Sequence, residues 1–361
     1  MPIRILHIVT YMGRGGLETF LMNVYRNIDR EKLQFDFLVH RKFRADYDDE
    51  IEELGGIIHR LPRLNPFSPQ YHMSLLAFFK DHPEYRIVHC HLDCMSGIPL
   101  AAAKKYGVPV RIAHSHTINQ DKDWKYPLKR LCMRKIPTVA THFFACSKKA
   151  GAWMFPSQRV TVINNGIETQ RFAFDPQVCA EVRSELMLRD ELVLGHVGRF
   201  APVKNHELLT DIFDALHKKE PASVLLLVGQ GPLEPQIRKK VQQLGLDDCV
   251  RFLGLREDVN RILQAVDVFV MPSLYEGLSL STIEAQTTGA YCIFSDTIPA
   301  ESQVADNVEF IALDAPVTLW ADRIIAGAAM ERTSKQEAVA AKGYDIRVTS
   351  DYLQNFYQKN W

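Results

Sequence analysis

The sequence predicts an α/β protein made of two Rossmann-like domains, and three observations support this. The chain has 361 residues, which exceeds the core of one ordinary domain and favours two. Short runs of β-branched or aromatic residues alternate with helical patterns, as is typical of parallel sheets built from βαβ units. A new series of such runs begins at Leu192, after a polar interval. We therefore expect two separate sheets.

The strands of both domains can be placed in order along the chain. In the first half they are expected at residues 4–10, 35–40, 56–61, 86–91, 110–116 and 142–147. In the second half they are expected at residues 192–200, 223–231, 250–255, 267–273, 290–296 and 308–313, with helices between them.

The domain boundary is expected between Val162 and Phe172, because the Asn-Asn-Gly sequence there is typical of a turn. The predicted domains are 1–167 and 168–344. A last helix over 345–361 follows the second sheet and can pack back on the first domain.

Composition excludes several classes of protein. Hydrophobic residues make up 47% and charged residues 24% of a chain with zero formal charge, which is typical of a soluble globular protein. The lack of a basic excess argues against a nucleic acid partner. The seven cysteines are odd in number and scattered, so we interpret them as buried thiols. No signal pattern or run of ~20 apolar residues is present, so the expected location is the cytoplasm.

A glycine-rich turn lies between the first strand and an amphipathic helix. Gly13, Gly15 and Gly16 allow close approach of a ligand, and the free N–H groups at the helix start favour an anion. The alternative is a plain turn. The turn is a poor dinucleotide fingerprint, because Glu18 stands near the place of its final small residue and no acidic residue ends the second strand.

Two cations follow the first strand of the second domain. Arg199 and Lys204 together suit a diphosphate, whose charge they could neutralise without a metal. The alternative is that both are ordinary solvated loop side chains. Their position after a central strand favours a role in binding, because ligands of open parallel sheets bind beyond the carboxyl ends of the strands.

The segment Ser273–Gly289 reads as the end of a strand, a loop and a helix. Glu276 is expected in the loop and Glu284 inside the helix. The backbone N–H groups between them form a candidate anion site, at Leu278, Ser279, Leu280 and Ser281. A nucleotide sugar fits this arrangement, because its diphosphate suits the N–H groups and its ribose and hexose hydroxyls suit the two carboxylates.

These residues resemble the retaining family-four (group 1) glycosyltransferases of the GT-B fold, in which two Rossmann-like domains face each other across a cleft. The resemblance covers essentially the whole chain. It rests on the Glu276–Glu284 spacing, the glycine-rich first turn with Glu18, and the two cations. It also rests on the His114-Ser115-His116 strand end, Asn164–Glu168 and Gly229–Pro232. Residues 15–39 are most similar to bacterial capsule and exopolysaccharide members.

The resemblance implies that the first domain, 1–167, lies on the acceptor side and that the second, 168–344, binds the nucleotide sugar. It also implies a role for each matching residue. Glu284 would bind the ribose, Glu276 the hydroxyls of the donor sugar, and Arg199 and Lys204 the diphosphate. His114 would contact the sugar from the first domain, with Gly15 and Gly16 facing the reaction centre. The backbone near Leu255 and Arg256 would hold the base.

The implied reaction moves a hexose from a nucleoside diphosphate, expected to be UDP, to a saccharide or lipid-linked acceptor, with no metal or other cofactor. Two other functions stay open. A GT-B sugar-nucleotide epimerase shares the donor site but needs no acceptor. A dinucleotide-dependent oxidoreductase shares the sheet class but lacks its fingerprint here.

Two further segments have alternative interpretations. A metal site at 89–94 is disfavoured, because alternation along a strand sends His89 and His91 to one side and Cys90 to the other. The stretch Lys122–Lys135 mixes basic with aromatic and apolar residues. It suits either an anionic membrane surface, at the inner face of the plasma membrane, or a helix packed on its own domain.

Overall fold

The computed structural model describes residues 2–117 and 126–361. The chain forms two compact units. The first contains residues 1–166 together with 346–361, and the second contains residues 167–345. Helix α14, which begins at Ile346, therefore belongs to the first unit, although it follows the second unit in sequence.

The first unit is built on a parallel sheet with the strand order β3-β2-β1-β4-β5-β6-β7. The strands are β1 Ile3–Ile8, β2 Leu33–Val39, β3 Ile58–Arg60, β4 Ile87–Cys90, β5 Val110–Ser115, β6 His142–Ala145 and β7 Thr161–Val162. The helices are α1 Gly16–Asn27, α2 Asp48–Glu53, α3 Pro69–Asp81, α4 Gly97–Lys105, α5 Tyr126–Val139, α6 Lys148–Met154 and α14 Ile346–Asn360.

The second unit repeats this plan with the strand order β10-β9-β8-β11-β12-β13, again all parallel. Its strands are β8 Leu192–Val197, β9 Ser223–Val228, β10 Val250–Gly254, β11 Val268–Met271, β12 Tyr291–Ser295 and β13 Val308–Ile311. Its helices are α7 Pro176–Glu185, α8 His206–Lys219, α9 Glu234–Gln243, α10 Val259–Ile262, α11 Leu280–Thr287, α12 Val317–Ala328 and α13 Gln336–Val339.

Each sheet is buried on both faces, as parallel sheets generally are. All seven residues of β2 and all six of β9 are buried. In the second unit, the fully buried Trp320 of α12 joins the apolar core that α8 also helps to form. In the first unit α14 packs on α1, and Gln354 accepts a hydrogen bond from the backbone N–H of Asp29 at 2.7 Å.

The predicted alternation of strands and helices is confirmed, and every predicted strand is present. The structure adds one strand that the sequence pattern missed, β7, which pairs with β6 and forms the edge of the sheet. Its two residues, Thr161 and Val162, are too few to show an alternating pattern. Among the described residues, no helix is both long enough and apolar enough to span a bilayer.

Candidate functional site

The topology of the second unit places its candidate residues beyond the carboxyl ends of its central strands. The chain winds outward from β8 through β9 to β10, and in the opposite direction from β11 to β13. The two neighbouring strands β8 and β11 therefore form a topological switch point, where a crevice opens beyond their carboxyl ends. Arg199 and Lys204 follow β8, and Glu276 follows β11.

The loop after β8 is held by close contact with the loop after β9. A Cβ atom on Gly229, whose φ is +135°, would collide with the carbonyl oxygen of Gly198. Only glycine therefore suits this position. Arg199 follows Gly198 directly and is exposed, and within residues 2–117 and 126–361 its guanidinium has no ion-pair partner.

Lys204 and Glu276 form an ion pair across the switch point. Lys204 ends a short 3-10 turn, Pro202–Lys204, and its Nζ lies 2.6 Å from Glu276 Oε1. Their side chains are only 14% and 12% exposed. The contact lacks the alignment of a hydrogen bond. The Leu274 N–H donates to the carbonyl of Val203 at 2.8 Å, which fixes the two loops together.

Helix α11 begins beside this pair, as the sequence predicts. Ser279 is its N-cap residue, but the Ser279 side chain makes no capping hydrogen bond. Its hydroxyl lies instead 3.0 Å from the hydroxyl of Ser281. The N–H groups of the first turn are thus left for another acceptor, and the helix dipole favours an anion there.

Glu284 lies inside α11 and is partly buried. Burial raises the pKa of its carboxyl group to about 7, against the opposing attraction of Arg171. Burial removes the water that would otherwise stabilise the carboxylate of Glu284. Hydroxyl groups of a ligand could replace that water by donating hydrogen bonds to the carboxylate.

Leu255 and Arg256 follow β10 at the same edge of the sheet. Leu255 is 46% exposed. The Arg256 guanidinium makes two hydrogen bonds to the carboxylate of Asp258, of 2.8 and 2.7 Å, and this contact lowers the pKa of Asp258. Leu255 therefore presents an apolar side chain to solvent, next to the backbone at Arg256.

In the first unit, the glycine-rich turn leads directly into α1. Gly15 is the N-cap residue of α1, and a Cβ on Gly15 would collide with Oε2 of Glu18. Burial raises the pKa of Glu18 to about 7. A Cβ on Gly16 would meet nothing within 4 Å. Open space therefore lies beside the backbone at the start of the helix, where a ligand could approach.

His114 lies on β5 in a cluster of five histidines at the carboxyl edge of the first sheet. The cluster consists of His7, His89, His91, His114 and His116. Parallel register explains it: His7 on β1 pairs with His89 on β4, and β5 lies on the other side of β4. His89 and His91 point to the same side, with ring centroids 4.2 Å apart.

Hydrogen bonds divide the cluster into two chains. In one chain His7 Nδ1 lies 3.1 Å from His91 Nε2, and His91 Nδ1 lies 2.9 Å from His116 Nε2. In the other, His89 Nδ1 lies 2.6 Å from the Tyr357 hydroxyl, and His89 Nε2 lies 3.1 Å from His114 Nδ1. Burial lowers the pKa of every ring in the cluster, so all five are neutral near pH 7.

Two triads in this cluster bring ligand nitrogens within 4.8 Å of one another, namely His7 with His89 and His91, and His91 with His114 and His116. The sequence disfavours a metal at residues 89–94, because His89 and His91 point to one side of the strand and Cys90 to the other. The structure shows that the neighbours of His89 and His91 come from β1 and β5. The signal in the sequence was the repeated His-x-His pattern at the ends of two strands.

The basic stretch is only partly described. Lys122, Trp124 and Lys125 lie outside the described residues. In α5, Arg130, Arg134 and Lys135 are exposed, and Leu131 is 63% exposed, while Met133 is buried. One side of the helix therefore packs on the unit, and another presents basic and apolar groups to solvent.

Two Rossmann-like units, each built on a parallel sheet, define the architecture of the GT-B class. Two family models match the chain, "Glycosyltransferase Family 4" over residues 14–171 and "Glycosyl transferases group 1" over residues 191–327. The putative glycosyltransferase EpsF of Bacillus subtilis is 36% identical, over 98% of this chain and 96% of its own length. The protein belongs to the group 1, family 4 glycosyltransferases.

The chain is also similar to a curated transferase and to a solved structure. An Escherichia coli UDP-Gal:alpha-D-GlcNAc-diphosphoundecaprenol alpha-1,3-galactosyltransferase is 29% identical, over 62% of this chain and 61% of its own length. The crystal structure of Anabaena HepE in complex with UDP-glucose has a TM-score of 0.81 at 17% identity, covering 99% of both chains. The second likeness confirms the GT-B fold.

Proposed function

We propose that this glycosyltransferase moves a hexose from a UDP-sugar to a saccharide or lipid-linked acceptor in the synthesis of a bacterial surface polysaccharide, with retention of anomeric configuration. The ion pair of Lys204 with Glu276, beside the start of α11, carries the proposal. Lys204 offers a positive charge to a leaving diphosphate, and the adjacent Glu276 carboxylate can accept hydrogen bonds from sugar hydroxyls. The E. coli relative named for UDP-Gal and a diphosphoundecaprenol acceptor, and the HepE complex with UDP-glucose, support this choice of donor and acceptor.

In this proposal the second unit binds the donor. Arg199 and Lys204 hold the diphosphate together with the backbone N–H groups at Leu278, Ser279, Leu280 and Ser281. Glu276 accepts hydrogen bonds from the transferred sugar and Glu284 from the ribose. The backbone at Leu255 and Arg256 holds the base.

The first unit is proposed to contact the transferred sugar and the acceptor. His114 is proposed to contact the sugar through its Nε2 atom, which has no hydrogen-bond partner among the described residues. Gly15 and Gly16 let their backbone approach the reaction centre, in agreement with the open space beside Gly16.

The proposed reaction needs no protein nucleophile. The bond between the anomeric carbon and the diphosphate oxygen breaks, and the acceptor oxygen attacks from the same face. The leaving diphosphate takes the proton of the acceptor hydroxyl. Stabilising the charge on the diphosphate is then the main task of the protein, and one well-placed donor typically contributes ~3–4 kcal/mol. Lys204 and Arg199 supply positive charge there, so we expect activity without a divalent metal.

The acceptor side suggests where the enzyme works. The exposed residues Arg130, Arg134 and Lys135 lie beside the exposed Leu131 on α5 of the first unit. Basic groups attract anionic lipids, and an apolar group can enter the interface. We propose reversible association with the inner face of the plasma membrane, where a lipid-linked acceptor would be found.

The test is a panel of UDP-hexoses offered with and without lipid-diphosphate-linked saccharides. We expect UDP release that depends on the acceptor, and a product whose anomeric proton shows by NMR the same configuration as the donor. A product of inverted configuration would refute retention. Conversion of the UDP-sugar to an epimer without any acceptor would instead identify a sugar-nucleotide epimerase.

A further inference from the structure

Tyr357 is linked to His114 through a single buried ring. The Tyr357 hydroxyl, on α14, lies 2.6 Å from His89 Nδ1, and His89 Nε2 lies 3.1 Å from His114 Nδ1. Tyr357 is fully buried, and the two histidines are 1% exposed. Within the described parts of the chain, the outer nitrogen of His114, Nε2, has no hydrogen-bond partner.

The number of protons in this chain is fixed. Burial holds the pKa of His89 and of His114 well below its usual value, so each ring is neutral and carries one proton. Burial also raises the pKa of Tyr357, so its hydroxyl keeps its proton. Two hydrogen bonds must therefore be made with three protons, and only two arrangements are possible.

The two arrangements differ in how many buried groups they leave without a partner. If Tyr357 donates to His89 Nδ1, then His89 Nε2–H donates to His114 Nδ1, and one group, His114 Nε2–H, is left over. In the reverse arrangement the Tyr357 hydroxyl proton and the bare Nε2 of His114 are both left over. The reverse arrangement thus leaves one more buried group unpaired, the acceptor Nε2 of His114, and this disfavours it by on the order of tenfold or more.

Distances also favour hydrogen bonds over a metal ion in this cluster. Nitrogens bound to a tetrahedral ion at ~2.05 Å lie about 3.3–3.4 Å apart. The pairs His7–His91, His91–His116 and His89–His114 approach to 3.1, 2.9 and 3.1 Å, which is the range of hydrogen bonds.

We infer that Tyr357 is a positioning residue that fixes His114 in its Nε2–H tautomer, so that His114 donates a hydrogen bond to an oxygen of the transferred sugar. The contact with sugar rests on the function proposed above, whereas the tautomer does not. A sugar hydroxyl that accepts from His114 keeps its own proton for a carboxylate. Orientation through a second residue is how buried histidines are commonly prepared for a task.

The first test uses the wild-type protein and ¹⁵N NMR of its histidine rings, with His114→Gln to assign the signal. We expect a protonated Nε2 and an unprotonated Nδ1 for His114. A bare Nε2 would overturn the inference without reference to activity. Binding of Zn²⁺ by the full chain that is lost in His114→Gln would overturn it too, because a metal would replace the hydrogen bonds.

The second test is Tyr357→Phe, which removes the hydroxyl and keeps the ring that packs edge-on against Phe35. We expect a mixture of His114 tautomers and a roughly tenfold fall in kcat, with unchanged affinity for UDP, because the nucleotide is proposed to bind the second unit. Tyr352→Phe is the matched control, since Tyr352 lies on the same helix and is 44% exposed.

An unchanged tautomer and unchanged kcat in Tyr357→Phe would contradict the role of Tyr357. If this variant fails to fold, the wild-type spectrum decides alone. If no UDP-sugar is turned over while the spectrum is as expected, the proposed function fails and the tautomer assignment stands.

Discussion

Lys204 Nζ lies 2.6 Å from Glu276 Oε1, so the cation proposed to hold the diphosphate is already paired with the carboxylate proposed to hold the sugar. A bound diphosphate must share Lys204 with Glu276 or replace it. The pair therefore orders both side chains before the donor arrives, and it makes Glu276 a competitor of the nucleotide for Lys204. We therefore expect substitution of Glu276 to affect mainly turnover, and substitution of Glu284 to affect mainly nucleotide binding.

Glu276→Gln should slow turnover by about 100-fold without weakening the binding of UDP. The neutral amide frees Lys204 for the diphosphate, so the affinity for UDP should be equal or higher, while contacts with the sugar in the transition state are lost. Calorimetry with UDP and steady-state kinetics measure the two effects. A large loss of UDP affinity in this variant would show that Glu276 serves the nucleotide.

Glu284→Ala should mainly weaken nucleotide binding, because the ribose contact is proposed to be the same in the ground and transition states. We expect the Kd for UDP to rise by about tenfold, with a smaller change in kcat at saturating donor. Glu301→Ala is a control, since Glu301 is an exposed carboxylate of the same unit. Equal losses of UDP affinity in the Glu276 and Glu284 variants would refute the division of roles.

The pKa of Glu284 also predicts how stability depends on pH. Its carboxyl group titrates near 4.5 in the unfolded chain and at about 7 in the folded one. Between these values the folded state binds a proton that the unfolded state lacks, so the contribution of Glu284 to stability falls as the pH rises from 4.5 to 7. The loss is at most about 3 kcal/mol.

Glu284→Gln removes this titration. Relative to wild type, the variant should gain thermal stability as the pH is raised from 4.5 to 8 in the absence of nucleotide. Melting temperatures at several pH values measure this. A difference between the two proteins that stays constant over this range would contradict the raised pKa.

Arg130→Glu combined with Arg134→Glu should abolish sedimentation with anionic vesicles and leave UDP binding unchanged. Each basic group near such a surface contributes ~1 kcal/mol, and salt weakens the attraction. Lys148→Glu with Lys149→Glu makes the same change of charge on α6 of the same unit and serves as the control. The proposal fails if the parent protein does not bind the vesicles, or if both double variants lose binding equally.

The sequence predicts the fold well because each sheet is buried on both faces, so central strands such as β9 and β11 are largely apolar runs. It places Glu276 and Glu284 correctly in a loop and a helix, because Gly289 marks the helix end and α11 follows a clear strand. It does not reveal the pair of Lys204 with Glu276, since that contact joins loops after two strands that are neighbours only in the folded sheet.

The histidine chains are a second set of contacts that the sequence does not reveal. The sequence shows His-x-His at two strand ends, but the pairing of β4 with β1 and β5 decides which rings meet. Tyr357 is 268 residues from His89 along the chain. It reaches His89 because α14 belongs to the first unit, and no local pattern identifies that contact.

We propose that Lys204 and Arg199 stabilise the leaving diphosphate of a UDP-sugar without a divalent metal. The most direct measurement is UDP release from a UDP-hexose and acceptor in excess EDTA, by the wild-type protein and by Lys204→Met. We expect the wild type to keep its full rate in EDTA, and the variant to lose about 100-fold in kcat. A wild-type rate that EDTA abolishes and Mg²⁺ or Mn²⁺ restores, or a variant as active as the wild type, would contradict the account.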